Sequence, residues 1–313
     1  MKFMTFHYQS TTRLGVLQGD RVLDLKALHD LYDKEGFAFP IDMEQLINRN
    51  DTSIPYVKEL LEFYETNEDE FASITYDPSQ IEISAPVTTP EKIICVGLNY
   101  MDHCVETGLE PPTSPVIFSK YANTIIGENE AIEIPINADQ VDFEAELVVV
   151  IGKEAKRIRE EDAEDYIFGY TIMNDVSARD HQFADGQWVR GKTADTFAPI
   201  GPIIATKDEV GDPHNLNISL TLNGEVMQQS NTKNLIFNIP YILSYLSQSI
   251  TLKPGDLIAT GTPPGVGMGR EPKVWLKDGD RLSISIENIG TLTNSVHEFV
   301  QLENDQKESL PTL

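Results

Sequence analysis

The spacing of apolar and polar positions changes near residue 88. Residues 1–50 read as short strands and turns, with Thr12–Leu17 and Arg21–Leu25 forming a hairpin around Gly19-Asp20. Apolar positions over Val57–Tyr64 follow helical spacing. Turn signals at Asp77-Pro78 and Ala85–Pro90 close this part, expected as a small α+β module over residues 1–88. Strands dominate afterwards: Ile93–Gly97, Asp142–Ile151, Ile167–Met173, Leu257–Thr260 and Arg281–Ile286. Asp142–Ile151 alternates at first and then becomes continuously apolar. Asn99–Thr107 reads as a short helix stopped by Gly108 and Pro111-Pro112, and Glu160–Tyr166 as another. Leu216–Leu222 and Glu225–Gln229 flank Asn223-Gly224, the pair that a type I′ hairpin turn favours. Ile239–Gln248 is a helix starting near Pro240. The expected class is α+β, mainly β, with a second unit at residues 89–305 and a polar tail at 306–313.

Charge narrows the partners. The 313 residues carry 50 acids against 24 bases, a net charge of −26, which argues against nucleic acid and anionic membrane surfaces. An anionic substrate would therefore need local cations or a metal. Cys95 and Cys104 match no CxxC spacing, so neither a disulfide framework nor a thiolate zinc site is expected. The opening MKFMTFHYQS is too polar for a secretory signal, and no apolar run approaches the roughly 18 residues of a membrane span. These features give the expectation of a cytoplasmic protein.

Side chains two apart share one face of a strand. Glu144 and Glu146 should therefore project together, with Asp142 on the same side, at the mouth of the apolar run Leu147–Ile151. Paired carboxylates losing solvent repel each other, and a hard cation relieves both penalties. Asp175, at the end of the strand Tyr170–Asn174, is a candidate third ligand. The same spacing also fits the solvated face of an ordinary strand. His103 and Glu106 sit three apart and share a helix face, an arrangement for a general base with a fixed tautomer, or for a plain surface pair.

Arg179 and Gln182 follow the second acidic strand and could hold a carboxylate or carbonyl; His181 between them reads as structural. Lys192 is either a surface cation or an oxyanion stabiliser. Gly261-Thr-Pro-Pro-Gly-Val-Gly is a rigid turn whose glycines admit close backbone approach, and Thr262 offers an amide and a hydroxyl. No phosphate loop, dinucleotide fingerprint or serine-hydrolase elbow is present.

Taken in order, GLNYMDH (97–103), DFEAELVVVIGK (142–153), GYTIMNDVSARDHQ (169–182), GKTADTFAPIGP (191–202) and GTPPGVG (261–267) resemble the fumarylacetoacetate hydrolase family over roughly residues 90–300. The resemblance is to members with an N-terminal extension. It implies a mixed β-roll catalytic domain and a homodimer. It implies metal ligands at Glu144, Glu146 and Asp175, for Mg²⁺ with Mn²⁺ or Ca²⁺ as substitutes. It places a catalytic dyad at His103 and Glu106, on a segment that closes over substrate, and a catalytic lysine at Lys192. Substrate contacts fall on Arg179, Gln182, Thr262 and, more weakly, Lys120.

The activity expected from this set is divalent-metal-dependent hydrolysis of a carbon–carbon bond in a 2,4-dioxo acid, releasing a pyruvate-type enolate. Decarboxylation of oxaloacetate, or isomerisation or decarboxylation of a hydroxymuconate-type diacid, would use the same site. A non-enzymatic metal-binding interaction protein is the reading from another class.

Overall fold

The computed structural model describes residues 1–32, 36–66, 68–108 and 110–298; the expected tail at 306–313 lies outside them. Its frame is a 12-stranded mixed sheet. From one edge the order of ten strands is Thr75–Tyr76, Arg21–Asp24, Thr11–Gln18, Lys2–Tyr8, Ala198–Thr206, Ile167–Asn174, Ala145–Ile151, Leu257–Ala259, Ile93–Gly97 and Val116–Lys120, and two further strands branch off it, Glu82–Ser84 beside Lys2–Tyr8 and Ile125–Ile126 beside Ala198–Thr206. A 5-stranded sheet, Glu225–Asn231, Asn217–Leu222, Arg281–Ile286, Gly290–Glu298 and Ala131–Ile134, packs against it. The strands before residue 88 belong to the large sheet, because Lys2 and Phe3 pair with Ala205 and Ile204.

The continuous apolar run Leu147–Ile151 has a direct cause: both faces of its sheet are covered. Leu147, Val149 and Ile151 point into a core shared with the 5-stranded sheet and the helix Ile239–Ser247. Val148 and Val150 point the other way, into a second core roofed by the helices Leu25–Tyr32, Met43–Asn48 and Asn50–Thr66. Each fully buried aliphatic there contributes about 1.5–3 kcal/mol relative to exposure.

Several expectations hold in detail. Asn223 and Gly224 both take positive φ, as a type I′ turn requires. Asn238 caps the helix Ile239–Ser247 by accepting from the Tyr241 N–H, with Pro240 in the first turn. Gly108 ends the helix Met101–Thr107 in the left-handed region.

Others need correction. Residues 1–50 hold two helices as well as strands, Leu25–Tyr32 and Met43–Asn48, the second capped by Asp42 onto the Gln45 N–H. The helix over 57–64 is longer, Asn50–Thr66, with Pro55 inside it. Glu160–Tyr166 is a 3-10 helix. Asp142–Ile151 is not one strand: Val141–Asp142 pairs with Ser177–Ala178 in a separate 2-stranded sheet, and the long strand starts at Ala145.

Candidate active site

The break before Ala145 builds the site. The Glu144 N–H donates to Asn174 Oδ1 at 3.0 Å, and the Asp175 N–H donates to the Glu144 carbonyl at 2.9 Å. These bonds stitch the kink of one strand to the end of its neighbour. Carboxylate oxygens of Glu144, Glu146 and Asp175 consequently lie within 4.8 Å of one another, all three residues buried. Asp142 does not share their face, contrary to the strand periodicity. Beyond the kink it accepts from the Gly267 and Met268 N–H groups at 2.6 and 3.0 Å and from Arg179 Nε at 2.9 Å. A side chain at Gly267 would meet Asp142 Oδ1 at 2.7 Å, so this position must be glycine.

Three cations face these four carboxylates. Lys192 Nζ bridges Glu144 Oε2 at 2.8 Å and Asp175 Oδ2 at 2.9 Å. Lys120 Nζ donates to Asp175 Oδ1 at 2.6 Å. Arg179 is spent on Asp142, Glu144 and Gln182 Oε1. Burial alone would push the Glu144 carboxyl up, but Lys192 and Arg179 pull it well below the usual range. Glu146 is the carboxylate left over. Burial and then Asp175 and Glu144 push it well above the ordinary value, and its hydrogen bond is from the Gly261 N–H at 2.9 Å. Among the described residues no cation lies within ion-pair distance of Glu146. A buried carboxylate lacking countercharge, beside two more whose oxygens converge on it, fits a divalent cation.

A cavity of about 120 Å³ opens onto this cluster, lined by His103, Glu144, Glu146, Arg179, Gln182, Lys192 and Thr262 on its polar side. Leu98, Phe118, Phe183 and Trp188 form the apolar side. The His103 Nδ1–H donates to Glu106 Oε2 at 3.0 Å, so the basic nitrogen of that tautomer is Nε2. The other Glu106 oxygen accepts from the Gly265 N–H at 2.9 Å. Leu98, which leads into this helix, sits at φ +55°, a rare conformation for its type.

Some expected residues sit differently. Lys120 is buried behind Asp175 and does not line the cavity. The Thr262 hydroxyl donates to the Ala145 carbonyl and accepts from Gln228 Nε2 at 2.8 Å. Gln228, fully buried and also accepting from the Ala145 N–H, was not picked out from the sequence, where its hairpin offered no chemical signal. His181 is structural: its Nε2–H donates to the Asn137 carbonyl at 2.8 Å.

Comparison with known proteins decides the family. The fumarylacetoacetate (FAA) hydrolase C-terminal profile matches residues 92–297. The chain belongs to the fumarylacetoacetate hydrolase family. A protein of Rattus norvegicus named mitochondrial oxaloacetate tautomerase is 45% identical over 261 residues, 83% of this chain and 80% of its own. A Xenopus laevis protein of the same name is 42% identical over 285 residues, 90% of this chain and 85% of its own. The structure of maleylpyruvate hydrolase from Sphingobium sp. SYK-6, with manganese(II) and pyruvate, is 30% identical, covers 95% of this chain and 99% of its own, and superposes at a TM-score of 0.74. Family membership of this kind marks the chain as an enzyme with a buried carboxylate triad able to hold a divalent cation. The cytoplasmic expectation is overturned, since the curated relatives are named mitochondrial. Polarity at the N-terminus spoke only against a secretory signal, which does not decide a compartment. No helix among the described residues is long and apolar enough to cross a membrane.

Proposed function

We propose that this enzyme interconverts the keto and enol forms of oxaloacetate or a closely similar 2-oxo diacid. The observation that carries the reading is the position of His103, paired with Glu106 and facing the same cavity as Glu144, Glu146 and Lys192. The names of the curated relatives support it. It replaces hydrolysis of a 2,4-dioxo acid as the main activity, and from the expected alternatives it keeps oxaloacetate as substrate while exchanging decarboxylation for tautomerisation.

Glu144, Glu146 and Asp175 would hold the divalent cation, Mg²⁺ in this proposal. When bound, it would supply Lewis acidity to a chelating 2-oxo acid and lower the cost of the enolate. His103 Nε2 takes the proton from C3 of the keto form, while Glu106 holds the imidazole and balances its charge. The C3–H electron pair becomes the C2=C3 double bond. Lys192, fixed by Glu144 and Asp175, places positive charge beside the oxygen that gains electrons. Return of the proton from His103 to that oxygen completes the enol. Arg179, Gln182 and the Thr262 amide border the substrate, and Lys120 acts through Asp175.

The dyad could also deprotonate water, the chemistry of a carbon–carbon hydrolase, and the similarity to maleylpyruvate hydrolase favours that second reading. Purified enzyme with Mg²⁺ should accelerate the decay of enol-oxaloacetate absorbance, and EDTA should abolish the acceleration. Pyruvate should form from acetylpyruvate or oxaloacetate far more slowly. Fast pyruvate release from acetylpyruvate without enol decay would give the site to hydrolysis instead.

A further inference from the structure

The helix Met101–Thr107 that carries His103 follows the fully buried Tyr100 and buries one apolar residue of its own, Cys104. Met101 and Val105 are exposed, at 46% and 78%, and seven residues are too few for a self-supporting helix. Its neighbour Asp102 lies outside the cavity lining and is nevertheless tied to a distant part of the chain. Asp102 Oδ2 accepts from Ser230 Oγ at 2.5 Å and from Asn234 Nδ2 at 2.9 Å. Asn234 Nδ2 also reaches Ser230 Oγ at 3.1 Å, closing a three-residue ring. Asp102 Oδ1 accepts from the His103 N–H at 3.1 Å. One carboxylate therefore binds both the strand Glu225–Asn231 with the turn Thr232–Asn234 and the backbone of the base itself.

We propose that Asp102 is a positioning residue that clamps His103 over the cavity through Ser230 and Asn234. This rests on the reading of His103 as the proton carrier. Helix position is measured apart from turnover, so the two ideas fail separately.

Asp102→Ala, Asp102→Asn and the double variant Ser230→Ala/Asn234→Ala should be compared as full-length protein with Mg²⁺. In Asp102→Ala, amide exchange over residues 101–107 should quicken at least about tenfold. The kcat for enol decay should drop about ten- to a hundredfold, the scale of a small misplacement of a reacting group. Oxalate affinity, which reports the ligand cluster and not the base, should stay within about threefold. Asp102→Asn keeps one of the two acceptor oxygens and should recover part of kcat. The Ser230/Asn234 variant should reproduce Asp102→Ala. Unchanged exchange in Asp102→Ala overturns the clamp, as does a loss of oxalate binding in step with kcat. If exchange quickens while His103→Ala leaves enol decay intact, the clamp stands and the proton-carrier reading falls.

Discussion

The helices Ile239–Ser247 and Met101–Thr107 are similar in length and are held by opposite means. The first buries Ile239, Ile242, Leu243 and Leu246 almost completely. The second buries Cys104, exposes Met101 and Val105, and is fastened mainly by Asp102 and Glu106, one turn apart. Apolar burial spreads attachment over many weak contacts, so such a helix opens only with the core. Polar attachment concentrates it in a few directional bonds, which can release one segment while the rest stays folded. His103 and Leu243 are therefore expected to fail in different ways.

The largest effect should come from His103→Ala. Turnover is expected to fall roughly 10²–10⁴-fold, the usual share of a general base, with little change in Tm. A large Tm loss would show that the polar helix carries stability after all. Leu243→Ala, in the apolar helix, should instead cost about 2–5 kcal/mol in denaturant unfolding while the remaining folded enzyme keeps its kcat.

A third test concerns the ionisation of a half-buried carboxylate away from the site. Burial pushes Glu128 up to about 7, opposed by its bond from the Thr293 N–H and by Arg281. Its folded form therefore resists ionisation. Stability is intact below about pH 4.5 and is lost as pH rises towards 7. Glu128→Gln, neutral throughout, should raise Tm above the parent at about pH 8 and match it near pH 4.5. A constant difference across that window would remove ionisation as the cause. The smallest effect is expected for Val105→Ser, within about 0.5 kcal/mol, because its side chain is already in solvent.

Much of the site was legible because its chemistry is written in short, ordered segments. Glu144, Glu146 and Asp175 converge as read, and His103 pairs with Glu106 on one helix face. Strand periodicity misled at Asp142, since alternation cannot report a kink stitched by Asn174 from a neighbouring strand. Gln228 and the Ser230–Asn234 pair were invisible for a related reason. They meet Thr262 and Asp102 at separations of 34 and 128 residues along the chain, and nothing local in their hairpin marks such contacts. The helices at 25–32 and 43–48 were missed where only two turns of pattern were available. The two-sided burial of Ala145–Ile151 follows from its composition, but the identity of the second covering layer does not.

Glu106 shares its two oxygens between His103 and the Gly265 amide. The His103 imidazole and the glycine-rich turn are thereby linked as one thermodynamic unit: whatever steadies the turn also steadies the imidazole, by the same free energy in both directions. A ligand long enough to rest on that turn would steady His103 as part of its own binding. A shorter one would occupy the same cavity and leave that coupling unused.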